Sequence, residues 1–500
     1  MPTASLPDNP NLEQLKGNAK TLRDLVRASL EPPLDLVREH HPRFGSIKAA
    51  SVEAAAFKLS DAQLTVARHY GFPSWPRLKA HVEEVNRLSR SPHLEAIGGD
   101  LATDADRADE LLRLACLNYG NDDPARWRAA ADLLAAHPEL GGYSLHTAAA
   151  VGDLASAQRL VAHDPGSANR EGGPFRWPPL MYLTYSRLDV GGDAVTIARL
   201  LLEHGADPNA GYLWEGLPSP FTALTGAFGR GEQAAPPHPR SLELARLLLE
   251  AGAEANDSQT IYNCGLGAEA SDDTDGFALL LEFGLGRGDG GPWRKRLMDA
   301  HQSPPEIAAE ALQNAAENGL LDRARLLLAH GVDPNIGGTH PIYDGRSPYE
   351  GTVLHGNLDI AALLAAAGAD TTLTDPTSLF IGYCLAADRT SVNEAIDADP
   401  TLLPRVLKER GDLIARATEL NRANAIALLI DLGFDTNHRQ RTTALHEAAW
   451  RGNITLVKLL IELGADPQIA DESHDSTPRG WAEHNDRPEV VAYLDGLDGQ

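Results

Sequence analysis

Apolar residues in this chain fall in short blocks, each closed by a glycine and a polar turn. The clearest block runs from Arg441 to Gln468, R-T-T-A-L-H-E-A-A-W-R-G-N-I-T-L-V-K-L-L-I-E-L-G-A-D-P-Q. Leu456, Val457, Leu459, Leu460 and Ile461 form a broad apolar face and predict a helix. Ahead of it, Ala448 and Ala449 are small enough for a neighbouring helix to approach closely. Gly452 predicts the end of that shorter helix and Gly464 the end of the longer one, since left-handed backbone costs glycine little. Thr442 or Thr443 offers a capping hydroxyl, and Ala465-Asp466-Pro467 turns the chain away. Two helices this short cannot bury their apolar faces alone, so copies must lie alongside.

Copies recur: R-L-L-L-E-H-G-A-D-P-N at 199–209, R-L-L-L-E-A-G-A-E-A-N at 246–256 and R-L-L-L-A-H-G-V-D-P-N at 325–335. A-L-L-A-A-A-G-A-D-T-T follows at 362–372 and A-L-L-I-D-L-G-F-D-T-N at 427–437. Leu145-His146-Thr147-Ala148-Ala149 repeats the opening of the Thr443–Ala449 stretch, and Leu312-Gln313-Asn314-Ala315-Ala316 does so without the histidine. The pattern resembles the ankyrin repeat, with a period of about 33 residues, a T-P-L-H-x-A opening, two helices and a β-turn. The resemblance implies an all-α solenoid of about ten to eleven helix-turn-helix units, with His146 and His446 hydrogen-bonding within the fold. Second-helix ends are expected near His137, Asp164, Gly205, Gly252, Gly284, Gly331, Gly368, Asp399, Gly433 and Gly464. A last helix pair lies within Thr477–Leu494.

The opening is different. Residues 1–11 read as a disordered lead, 12–90 as a helical N-terminal cap, 91–110 as a junction and 111–500 as the array. Leu15, Leu22, Leu25 and Val26 mark one amphipathic helix, broken by Pro32-Pro33. In the next unit Ser60 and Ser74 are the expected N-caps, Gly71 a stop, and Pro76 sits in a first turn. This D-A-Q-L-T-V-A-R-H-Y-G-F-P-S-W-P-R-L-K-A-H-V segment resembles the lead-in of bacterial ankyrin proteins, which implies a cap and a bacterial source. Ala67, Gly71, Ser74 and Leu78 also fit helix-turn-helix positions. Arg77 and Lys79, followed by Glu83 and Glu84, make a poor base-reading set.

The spacing between stops is long at Asp164–Gly205 (41), Gly205–Gly252 (47) and Gly284–Gly331 (47). The excess lies in 170–178, 211–221, 229–239 and 287–305, with 335–347 as a further finger-like segment. Phe175, Trp177, Tyr212, Trp214, Phe221, Trp293 and Tyr343 all lie in or beside the between-unit segments. Two readings are open: anchors of a protein interface at an exposed edge, or residues that seal the long loops against the array. Trp450, two residues before Gly452, is expected to face the concave groove.

The formal charge is −26, and aromatics make up 6%, fitting Ala- and Leu-rich helix pairs better than a large enzyme core. Residues 1–90 hold 13 Lys and Arg against 10 Asp and Glu, leaving 31 against 60 in the remainder. An acidic array repels phosphate and argues against general nucleic-acid binding by the repeats; the acidity either keeps a long array soluble or fits a partner that is basic or has a basic rim. Cys116, Cys264 and Cys384 form no C-x-x-C pair, which favours a reducing compartment. The start has no signal-peptide pattern, and the longest apolar run, Ile360–Ala367, is far too short to span a membrane. A cytoplasmic protein is expected.

Signs of chemistry are sparse. Ser271-Asp272-Asp273-Thr274-Asp275-Gly276 with Glu282 has calcium-loop spacing, but Glu282 aligns with an ordinary second-helix residue. The G-x-G-x-x-G at 286–291 follows a helix rather than a strand and reads as a loop. No H-x-x-x-H or H-E-x-x-H spacing exists, and no cofactor or metal is implied. The expected function is a non-catalytic protein-binding scaffold acting through fingers and groove. The alternatives are a regulator touching nucleic acid through residues 60–86, and an enzyme whose site is assembled only in space.

Overall fold

The computed structural model describes residues 4, 6, 7, 9–99, 101–265 and 274–497. Positions 1–3, 5 and 8 of the expected lead and Ser271, Asp272 and Asp273 of the calcium-loop-like stretch lie outside them. The chain divides into two compact bodies, 1–308 and 309–500. It is all-α with a minor sheet: twenty-nine α-helices are found among the described residues.

The N-terminal body opens with the helices Leu12–Arg27, Glu31–His40, Val52–Ala55, Leu59–His69 and Trp75–Leu88. Asn11 caps the first, accepting from the backbone N–H groups of Glu13 (2.9 Å) and Gln14 (3.1 Å). Pro32-Pro33 does not break the first helix, which ends at Arg27 ahead of a left-handed Ser29 (φ +62°); both prolines sit in the first turn of the second helix, where a missing N–H costs nothing. Ser74 is an N-cap position as expected, whereas the N-cap of the helix before it is Lys58 rather than Ser60. Asp61 draws it back, accepting from the Lys58 N–H at 3.0 Å. These helices enclose a core of their own, including Leu15, Leu22, Leu34, Phe57 and Leu78.

Helix pairs follow, from Asp104–Ala115 with Pro124–Ala136 to Pro478–His484 with Pro488–Leu497. Within each body, first helices pack on neighbouring first helices and second helices on second helices. Gly205, Gly252, Gly284, Gly331, Gly368, Gly433 and Gly464 all take φ between +83° and +102°. The residue after each donates to the carbonyl five positions back, for example Ala465 N–H to Leu460 O at 2.9 Å, the Schellman stop. At the three proline-followed ends φ is instead −136° (His137), −143° (Asp164) and −137° (Asp399). A residue before proline is driven to extended backbone, so those helices end without a glycine.

The asparagine closing each turn explains how successive units register. Asn169, Asn209, Asn256, Asn335 and Asn437 each donate from Nδ2 to the carbonyl of the next unit's stop glycine. Their Oδ1 atoms accept from the backbone N–H two residues beyond that glycine, at 2.7–2.9 Å. His446 Nε2 reaches Ser476 O (3.0 Å) and His146 Nε2 reaches Arg170 O (2.9 Å), while Gln313 stands in for the histidine and donates to Ser347 O (3.4 Å).

At Gly464 a side chain would meet nothing within 4 Å, so only the backbone demands glycine there. Gly464→Val is therefore expected to destabilise the last two pairs by about 1–3 kcal/mol. Hydrogen exchange should open residues 454–494 ahead of the rest of the C-terminal body. A uniform rise across 309–500 would contradict a nearest-neighbour array.

Two long segments, and one between-unit connection of ordinary length, carry structure that periodicity does not predict. Residues 211–221 contribute to a β-hairpin, Gly211–Trp214 with Pro220–Thr222, and Gly211–Trp214 also pairs in parallel with Ser89–Arg90. Residues 287–305, read as loop through their glycines, contain the helix Gly291–Leu297. An extra helix, Leu402–Glu409, follows the Asp399 end.

Candidate functional site

In the N-terminal body the aromatic residues of the long segments meet one another. Segment 172–177 closes on itself through Gly172 N–H to Trp177 O (3.0 Å). The Trp177 ring lies 5.2 Å from Tyr212 in a stacked arrangement and 4.9 Å from Tyr185. Phe175 adjoins Trp177 at 4.6 Å, Tyr212 stacks on Phe221 at 5.5 Å, and Tyr119 meets Phe221 edge-on at 5.0 Å. Every residue of the first helices Pro179–Tyr185 and Ala223–Phe228 is buried in consequence. A helix covered on all sides is a core helix, so these first helices present no open groove.

Of the two readings open for these aromatics, burial fits loop sealing rather than an exposed edge for six of them. Phe175, Trp177, Tyr212, Phe221, Trp293 and Tyr343 are each no more than 7% exposed. Trp293 donates from Nε1 to Asn209 O (3.0 Å). Tyr343 lies against Gly338, where a Cβ would come within 2.5 Å of its ring. Their apolar area is spent inside the fold. Trp214 is half-buried, stacked on His93 at 4.5 Å with its Nε1 directed at Asn118 O (3.4 Å).

Two buried charges stand behind this aromatic core, and no sequence motif marks either. Arg187 donates from Nε to Pro236 O (2.7 Å), from Nη1 to Thr184 O (3.0 Å) and Ser186 O (2.8 Å), and from Nη2 to Gly226 O (2.7 Å). Burial pulls its pKa down to about 10. Asp257 accepts from Thr222 Oγ1, from Thr225 Oγ1 (3.4 Å) and from the Thr260 N–H (2.9 Å). Burial outweighs these bonds and pushes its pKa up to about 6.

Asp257 lines a small recess with Asn209, Glu254, Asn256, Trp293 and His301, roomy enough for about one water molecule. Ser258 Oγ lies 3.4 Å from His301 Nε2, whose other ring nitrogen meets Gln302 O at 3.0 Å. Among the described residues no carboxylate hydrogen-bonds to that histidine, whose ring meets only Ser258 and the Gln302 carbonyl, so the pair lacks the third member of a nucleophilic triad there. Burial lowers the His301 pKa and pushes the Cys116 and Cys384 thiols up to about 12, away from reactive thiolates. Among the described residues no group of three or more His, Cys, Asp or Glu is placed to hold a metal ion. No helix among them is long and apolar enough to cross a membrane.

The C-terminal body keeps an open first-helix face. In Ala444–Trp450 the side facing the neighbouring units is buried, but Trp450 is 37% exposed. Its ring stacks on His484 at 6.0 Å and meets the half-buried Trp481 edge-on at 5.5 Å. Asn485 and Arg487 fix the backbone beneath it, donating to Trp450 O at 2.7 and 3.1 Å. Asp471 orients Trp481 by accepting from its Nε1 at 2.9 Å.

Paired short helices, left-handed glycine stops and turn-to-turn asparagine bonds define a helical repeat solenoid. The family of Ankyrin repeats matches residues 385–494 in three copies, so that stretch of the chain is an ankyrin repeat array. It is also similar to human Ankyrin repeat and MYND domain-containing protein 1, at 26% identity over 267 residues. That similarity covers 51% of this chain and 25% of the relative, so the chain spans about a quarter of that protein's length.

Proposed function

We propose that this protein is a non-catalytic scaffold that holds a basic protein partner on the first-helix face of its C-terminal body, with Trp450 as the anchor. The observation that carries this reading is the contrast in exposure: Trp450 stays open while six aromatics of the long segments are internal. A partly exposed, backbone-fixed indole is the kind of residue that dominates interface energetics. Ankyrin repeats generally serve as protein–protein interaction modules. Residues 443–497 hold ten Asp and Glu against four Lys and Arg, which favours a basic partner.

The test begins with affinity capture from the native cell and identification of the retained protein. Its Kd is then titrated against wild type and Trp450→Ala. The variant should bind at least about tenfold more weakly while its unfolding midpoint stays within error. Unchanged affinity, or a fall in the midpoint with binding per folded molecule retained, would overturn the reading.

A further inference from the structure

The five N-terminal helices keep their own core, and what joins them to the repeats is much smaller. Val85 and Leu88, at the end of helix Trp75–Leu88, meet Leu213, Trp293 and Leu297 in one five-residue cluster. Ser89 and Arg90 then pair in parallel with Leu213 and Trp214, and Glu215 donates its N–H to Arg90 O at 3.0 Å. The rim is polar: Arg90 meets Glu171 at 3.1 Å, and His93 stacks on Trp214. Met298, at the end of the insert helix, packs against the N-terminal core with φ +55°, a costly backbone for a residue with a side chain. Parts that each hold their own core and share a small, polar-rimmed contact behave like transient partners rather than one obligate core.

We propose that Leu213, Trp214, Trp293 and Leu297 form a docking site for an amphipathic helix that runs into a short strand. In this structure residues 75–90 of the chain itself occupy it. A competing partner would carry two apolar residues three apart at a helix end, as Val85 and Leu88 are. Extended backbone would follow to pair with Gly211–Trp214, together with an arginine to meet Glu171; this combines helix-in-groove and strand-addition recognition. The resident segment is tethered, so it competes at an effective concentration in the millimolar range and keeps the site closed until it is released. This site lies in the N-terminal body and stands or falls independently of the Trp450 reading.

The test uses the full chain and a fluorescent synthetic peptide spanning residues 74–94. Val85→Ala with Leu88→Ala weakens the resident helix without touching the N-terminal core cluster. Wild type should bind the peptide negligibly, whereas the double variant should bind it at least about tenfold more tightly. A peptide carrying Val85→Asp and Leu88→Asp should bind neither protein. Hydrogen exchange in the double variant should rise at 211–214 and 291–297 while the rest of 1–308 stays protected. Equal peptide binding by both proteins overturns the proposal. So does loss of protection throughout 1–308, which would make the contact integral to the fold.

Discussion

Replacing Arg187 with methionine is expected to destabilise the N-terminal body by about 3–5 kcal/mol, more than any other single change considered. The guanidinium ties together carbonyls from three stretches of chain: Thr184 and Ser186 at the end of one first helix, Gly226 in the next, and Pro236 in the long loop beyond. Methionine fills comparable length but donates nothing, so four carbonyl oxygens lose a charged donor at a buried site. Each unsatisfied buried acceptor costs about 1–3 kcal/mol, and relief from burying a cation returns part of the total. Arg187→Lys should recover only part of the loss, because an ammonium cannot reach a four-point fork. Denaturation followed by tryptophan fluorescence, with hydrogen exchange to separate the two bodies, checks this. A loss below about 1 kcal/mol for the methionine variant would mean that the loop carbonyls find other donors.

Arg187 also shows where sequence reading runs out. The repeat itself was legible because its physics is local: a glycine that must turn left-handed, an apolar face of fixed period, an asparagine at a fixed offset. Gly464 could be placed as a stop from its neighbours alone, and φ +92° agrees. The long segments offer no period, and their glycines at 286–291 concealed the helix Gly291–Leu297. Whether Trp177 seals or binds depends on Tyr185 and Tyr212, which lie 8 and 35 positions away along the chain and meet it only through tertiary contacts. Aromatic character was visible, but exposure was not, because burial is decided by what folds over a residue. Trp450 differs in standing on a regular helix two residues before Gly452, where helix geometry governs its direction, and it is 37% exposed. Arg187 and Asp257 belong to no motif, since their partners are backbone carbonyls and threonine hydroxyls contributed by neighbouring units.

Asp257→Asn is expected to stabilise the N-terminal body at neutral pH, by an amount that disappears on acidification. The carboxyl is fully enclosed, and the groups around it are neutral donors: the Thr222 and Thr225 hydroxyls and the Thr260 N–H. Its folded pKa, about 6, stands above the ordinary 3.8. A raised carboxyl favours the fold when protonated, so its contribution is complete below about pH 3.8 and is lost as pH rises through about 6. The shift corresponds to on the order of 3 kcal/mol lost by pH 7.5, and asparagine imitates the protonated acid without that loss. The wild-type curve alone will not isolate the effect. His146, His238 and His301 have pKa values lowered by burial, so acid destabilises the fold through each of them in the opposite sense. These histidines are common to both proteins and cancel in the difference between variant and wild type. That difference should favour the asparagine variant by about 1–3 kcal/mol at pH 7.5, narrow through pH 6, and approach zero near pH 4. A constant offset across this range would show that Asp257 does not titrate within the fold, and an offset favouring wild type at pH 7.5 would show that its three donors stabilise the carboxylate outright.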